Sequence, residues 1–189
     1  MSEKNADQIQ PLSRLGRQIA EAAASLEAMG TRFALIGGLA LAVHDVIRAT
    51  QDIDFLVEAE NADAIDAELI RLGYHCVHRS SDAANYTRGS ERLDLLYASR
   101  PVARRLLANA ARFQTSLGNL QVVSTEGLIG FKLQALVNDA LRTQDLEDIR
   151  MLLRTHHASM DMLEVREYFR LFDREKMLDE ILREIGSAT

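Results

Sequence analysis

The residues of this 189-residue chain best suited to chemistry are two carboxylates two positions apart, in Asp52-Ile53-Asp54. Side chains alternate faces along an extended strand, so Asp52 and Asp54 project together while Ile53 and Phe55 face the other way. Side by side, two carboxylates repel each other and cost stability. A cation between them removes that cost. Hard divalent ions such as magnesium take oxygen ligands and are often held by carboxylates together with substrate phosphates. A third acid, Asp94, stands alone in Arg92-Leu93-Asp94-Leu95-Leu96-Tyr97, a strand otherwise built for burial. A buried, unpartnered carboxylate is expensive. Asp94 therefore either pairs with a neighbouring arginine or joins Asp52 and Asp54 in a three-carboxylate cage. Such a cage can hold two metal ions roughly 3.5–4 Å apart for in-line displacement at phosphorus.

Gly37-Gly38 stands between an apolar strand and a short helix. Glycine lets backbone N–H groups approach a phosphate closely, and a helix N-terminus favours anions. The competing reading is a dinucleotide site, since Asp54 follows at nearly the right distance. That fingerprint wants G-x-G-x-x-G and an acid at the C-terminal end of the second strand. Here Leu39, Ala40 and Leu41 follow the pair, the acids precede the apolar body of their strand, and no G-x-x-x-x-G-K-[ST] loop exists. His75-Cys76-Val77-His78 puts only Cys76 and His78 on one face, too few ligands for a four-coordinate zinc site. His44 reads as a helix-packing residue, and His156-His157 as a helix end.

The glycine pair, thirteen intervening residues, Asp52-x-Asp54 and the later Leu93-Asp94-Leu95 together resemble the nucleotidyltransferase superfamily that shares the DNA polymerase β-like fold. Arg48, Thr50, Asp52 and Asp54 match an Arg-x-Thr-x-Asp-x-Asp run usual in the bacterial branch of AbiEii-like toxins and small-molecule-modifying relatives. Glu126, Lys132 and the segment from Arg142 to Asp148 resemble that branch's helical part, so the likeness covers about residues 33 to 154. It implies an α/β (α+β) fold, a mixed β-sheet core flanked by helices. It also implies metal-dependent transfer of a nucleoside monophosphate from an NTP such as ATP to an acceptor hydroxyl. The acceptor would be RNA such as tRNA, a protein or a small molecule, and a toxin of this kind would have an antitoxin partner. By the same resemblance Asp52, Asp54 and Asp94 are catalytic and bind Mg2+ or Mn2+. Gly37 and Gly38 hold the phosphate tail, Arg48 and Thr50 orient the catalytic strand or touch phosphate, and Lys132 meets the triphosphate. Asp145 and Asp148 read as acids favoured by a helix dipole, without a catalytic role. The alternative from another class is a non-catalytic module that keeps the fold and binds nucleotide or a partner.

The elements that must position these residues follow from periodicity. Leu12, Leu15, Ile19, Ala22, Leu26 and Met29 recur at helical spacing, with Pro11 in the first turn and Gly30 as the stop. Strands are expected at 33–36, 52–57, 74–79, 85–88, 92–97, 111–116 and 120–123, the last two as a hairpin about Gly118-Asn119. Helices are expected at 39–46, at 61–72 with Asn61 as cap, and from Ser99-Pro101 to Ala110. From Ser124 on, the pattern is helical, with segments at 125–138, 144–154, 162–171 and 174–185. The division is thus an α/β core over 1–123 and a helical region over 124–189.

No apolar run approaches the roughly 18 residues of a membrane span, and the first ten residues lack a signal-peptide design. Cys76 is the only cysteine, which fits a reducing compartment and a cytoplasmic location. The net charge of -6 argues against broad non-specific nucleic-acid binding. Within it, Arg79 to Arg112 carries seven arginines against three acids. That stretch is either a solvated surface or a landing face for a phosphate-bearing substrate.

Overall fold

The computed structural model describes residues 13–115 and 118–187. Helix α1 (Arg14–Ala28) begins at Ser13, whose hydroxyl accepts from the Gly16 N–H. Pro11 and Leu12 lie outside the described residues. The helix buries Ile19, Ala22 and Leu26, as their spacing predicts, and Gly30 at φ 66° turns the chain out of it.

Strand β1 (Phe33–Ile36) is buried throughout and runs straight into α2 (Gly37–Val43). The helix expected at 39–46 therefore starts two residues earlier, at the glycine pair, and stops three earlier. It stops because Asp45 takes φ 60°, a left-handed turn that ends the helix before β2 (Asp52–Val57). After a short 3-10 turn at Ala59–Asn61 comes α3 (Ala62–Arg71). Asn61 holds the cap position, but its amide donates to Glu58 and not to the helix.

Next come β3 (His75–Arg79), β4 (Ala83–Arg88), β5 (Glu91–Tyr97), α4 (Pro101–Ala108), β6 (Ala111–Thr115) and β7 (Gly118–Val122). Strand β4 reaches back to Ala83, because the Ser80 hydroxyl accepts from the Asp82 and Ala83 N–H groups and closes a tight turn. Gly118 and Asn119, expected in a turn, pair with Thr115 and Gln114 as part of the β6–β7 ladder. Residues 116–117 lie outside the described residues.

The seven strands form one mixed sheet in the order β3-β4-β5-β2-β1-β7-β6. The helical region contributes α5 (Thr125–Asn138), α6 (Thr143–His156), α7 (Met162–Leu171) and α8 (Glu175–Ser187). Ser124 caps α5 by accepting from the Gly127 N–H. One continuous cluster of buried side chains joins Ile53, Phe55, Leu93 and Leu95 of the sheet to Leu128, Leu133, Ile149 and Phe169 of these helices. No helix among the described residues is long and apolar enough to cross a membrane.

Candidate active site

Strand β2 pairs antiparallel with β1 and parallel with β5. The first pairing excludes the dinucleotide reading, which needs two parallel strands around the connecting helix. The second builds the site. Asp54 lies directly opposite Asp94, and Asp52 opposite Arg92. Alternation then puts all three acids on one face, while Ile53, Phe55, Leu93 and Leu95 are buried on the other. Sequence alternation predicts the shared face of Asp52 and Asp54, but only the parallel register adds Asp94 to it.

Between the two readings of Asp94, the arginine pair is absent: among the described residues it makes no ion pair. Its Oδ1 instead accepts from Asn85 Nδ2 at 2.8 Å, across the β4–β5 ladder. Asp52 stands 4.0 Å from Arg92 Nε. Burial, then Asp94 and Asp52, push the Asp54 carboxyl up to about 6, while Lys132 and Arg48 pull it down.

The start of α2 packs beneath these groups. Gly37 has φ 65°, and a Cβ there would overlap the Asp54 carboxylate. A Cβ on Gly38 would meet the Thr50 side chain at 2.9 Å and Arg48 Nη2 at 3.0 Å. The glycine pair thus lets the helix start, Asp54, Thr50 and Arg48 share one small volume. In front of them opens a cleft of about 810 Å³, lined by Arg48, Thr50, Arg92, Arg142 and the three aspartates.

As they stand, no three His, Cys, Asp or Glu side chains among the described residues converge into a metal-holding group. The donor chemistry nevertheless fits a hard divalent cation: three carboxylates on one face, all oxygen, with Asp54 bearing like-charge repulsion that a cation relieves.

Lys132 does not line this cleft. It is 6% exposed, and its Nζ donates to Asp145 Oδ1 at 2.9 Å and forms an ion pair with Asp148 Oδ2 at 2.6 Å. Arg142 Nε reaches Asp145 Oδ2 at 2.5 Å, and Arg48 Nε stands 3.3 Å from Asp148 Oδ2. Asp145 and Asp148, 5% and 0% exposed, are thus the buried centre of an ion network. Periodicity alone shows them only as acids near a helix start.

Residues 4–185 match a sequence family described as uncharacterised nucleotidyltransferase. The chain belongs to this family of enzymes. No curated protein matches it in sequence. Among solved structures it is similar to the antibiotic-resistance factor ANT(2'')-Ia in complex with adenylyl-2''-tobramycin, at 18% identity and TM-score 0.63, covering 85% of this chain and 98% of that one. It is also similar to the lincosamide adenylyltransferase LnuA bound to lincomycin, at 15% identity and TM-score 0.54, covering 76% and 98%. A nucleotidyltransferase-like antigenic protein from Paracoccidioides brasiliensis matches at 17% identity and TM-score 0.55, covering 92% and 95%. At these identities the likeness establishes the shared fold. The AbiEii-like branch rests on the sequence motif alone.

Two residues lining this nucleotidyltransferase's cleft, Arg92 and Arg142, and a third that bonds Asp94, Asn85, had no site role in the sequence. Arg92 was legible, being two residues from Asp94 on the same face. Asn85 and Arg142 were not, because each reaches the site only through strand register or helix packing. The arginine-rich stretch does not form one basic face. Arg79 pairs with Asp63 and Asp66, Arg88 with Glu21 and Glu91, Arg100 with Asp82, and Arg104 with Glu60. His44 packs as expected, donating from Nε2 to Val123 O at 2.8 Å with its ring edge-on to Phe113. His75 to His78 lie on the exposed edge strand β3, with a bulge between Cys76 and His78.

Proposed function

We propose that this enzyme transfers a nucleoside monophosphate from an NTP to an acceptor hydroxyl and releases pyrophosphate. The observation that carries the reading is the parallel β2–β5 register, which sets Asp54 beside Asp94 over a helix that starts at two glycines. Asp52, Asp54 and Asp94 would hold Mg2+ or Mn2+, which when bound neutralises phosphate charge and orients the reacting phosphorus. Asp94, oriented through Oδ1 by Asn85, takes the proton of the attacking hydroxyl. Gly37 and Gly38 present backbone N–H groups to phosphate oxygens at the helix start. Arg48 and Thr50, packed against Gly38, bind the phosphate tail. Lys132 acts from behind them: it is held by two aspartates, and its charge eases the ionisation of Asp54.

A small hydroxylated molecule is the favoured acceptor. Five of the seven arginines between 79 and 112 stand in ion pairs, which leaves little basic surface for RNA. Structurally similar proteins of comparable length carry antibiotic ligands, which agrees with this choice.

The test is incubation with each α-labelled NTP, magnesium and a panel of aminoglycosides, lincosamides, tRNA and cell lysate. Labelled product and pyrophosphate are expected with the wild type and lost with Asp52→Ala or Asp54→Ala. Equal labelling by wild type and variants would sink the proposal.

A further inference from the structure

The cleft has a basic side that the catalytic acids do not explain, and it is built from two buried aspartates. Asp145 uses both oxygens: Oδ1 accepts from Lys132 Nζ, and Oδ2 from Arg142 Nε. Asp148 Oδ2 lies in ionic contact with Lys132 Nζ at 2.6 Å and Arg48 Nε at 3.3 Å without a hydrogen bond to either, and Oδ1 accepts from Gln144 Nε2 at 3.2 Å. Lys132 therefore ties the two aspartates together, and each aspartate faces the Nε of one arginine. Three cations stand against two carboxylates, so the network keeps one positive charge toward the cleft.

We propose that Arg142 is a phosphate-binding residue of this site, paired with Arg48, and that Asp145 positions it through Nε. The inference rests on the nucleotidyl-transfer reading and extends it to a residue to which the resemblance assigns no role. The geometry separates the two ends of each guanidinium. With Nε facing an aspartate, both Nη atoms of Arg142 remain for a ligand, and Nη2 of Arg48 remains beside Nη1, which donates to Ala49 O at 3.3 Å; the planar fork matches two oxygens of a phosphate. Arg48 Nη2 lies against Gly38 at the helix start. Arg142 lines the same cleft from the turn before α6, its side chain 56% exposed. Beyond Asp145 it has no partner among the described residues.

Lys132 cannot take this role directly. It is buried, hydrogen-bonded to Asp145 and in ionic contact with Asp148. Flexible and paired only at the surface, Arg142 would be an ordinary i,i+3 helix-start pair. Its anchor, however, is 5% exposed and shared with a buried lysine, which holds that end of the side chain still.

The test is calorimetric binding of inorganic tripolyphosphate with magnesium, which removes any dependence on the base. Arg142→Ala is expected to weaken binding about tenfold, the usual loss for a charged hydrogen-bond pair, and Arg142→Lys to restore part of it. Asp145→Asn should also weaken binding, and adding it to Arg142→Ala should cost much less than it does alone, because the larger part of its effect on the ligand runs through the arginine. Thermal melting checks that the variants fold. Arg142 is exposed enough that its own two variants carry the test if Asp145→Asn is unstable. Wild-type affinity in Arg142→Ala would overturn the role of Arg142 and leave nucleotidyl transfer standing. Additive losses would overturn the positioning role of Asp145. If the wild type binds neither tripolyphosphate nor any NTP, the transfer reading falls, and this inference with it.

Discussion

Asp54→Asn should make the metal-free protein more stable while destroying its activity, and the gain should depend on pH in a fixed direction. Asp54 is partly buried with Asp94 and Asp52 beside it, and its carboxyl is raised from 3.8 to about 6. An acid whose folded-state value is raised holds its proton more tightly in the folded than in the unfolded chain. Stability is then unaffected below the unfolded value, erodes between about pH 4 and 6, and carries the full penalty above that. A rise of about 2 pH units at ~1.4 kcal/mol each is about 3 kcal/mol, an upper bound because the asparagine amide is also poorly solvated there. For a chain of this size, about 1–3 kcal/mol corresponds to a rise in Tm of roughly 3–10 °C. Thermal melts in EDTA should show that rise at pH 7.5 and almost none at pH 4. Magnesium should then raise the Tm of the wild type more than that of the variant, since a cation relieves the same repulsion. Equal melting temperatures at pH 7.5, or a difference that persists unchanged at pH 4, would refute the account of a strained carboxylate.

Two other substitutions probe the supports of the site. Gly37→Ala combines a left-handed φ with a Cβ that overlaps the Asp54 carboxylate; about 1–2 kcal/mol of stability should go to backbone strain alone. Displacement of Asp54 should lower turnover at least a hundredfold, measured as pyrophosphate release and chemical denaturation on the same preparation. Lys132→Ala leaves Asp145 and Asp148 buried without their shared partner, which should cost about 3–5 kcal/mol in urea unfolding. A loss below 1 kcal/mol would mean that the network is more hydrated than its burial indicates.

Much of the frame is legible in the chain because it is local. The strands at 33–36 and 52–57 and the helices at 125–138 and 162–171 follow from periodicity and from caps such as Ser124, which act within a few residues. Misplacements arose where conformation is set by a contact elsewhere or by a residue in an uncommon backbone region. Asp45 ends α2 by taking a left-handed φ, which an aspartate only occasionally does. Gly118 and Asn119, strong turn formers by type, are held in the β6–β7 ladder by pairing with Gln114 and Thr115. The arginine-rich stretch looked like one surface in linear order, yet its members sit on different elements and meet acids brought from Glu21, Glu60 and Asp63.

By itself the sequence determined the kind of chemistry: two acids on one strand face, a third in an apolar strand, and a glycine pair where a helix begins. These depend on residue type and short-range alternation, which survive any packing. Only the tertiary structure decided how they combine. The parallel β2–β5 register makes Asp94 the neighbour of Asp54, and the seating of α6 turns Asp145 and Asp148 from helix-start acids into the buried anchors of Lys132, Arg48 and Arg142. Register and seating are set by burial of side chains from many distant segments at once, so no single stretch of sequence contains them.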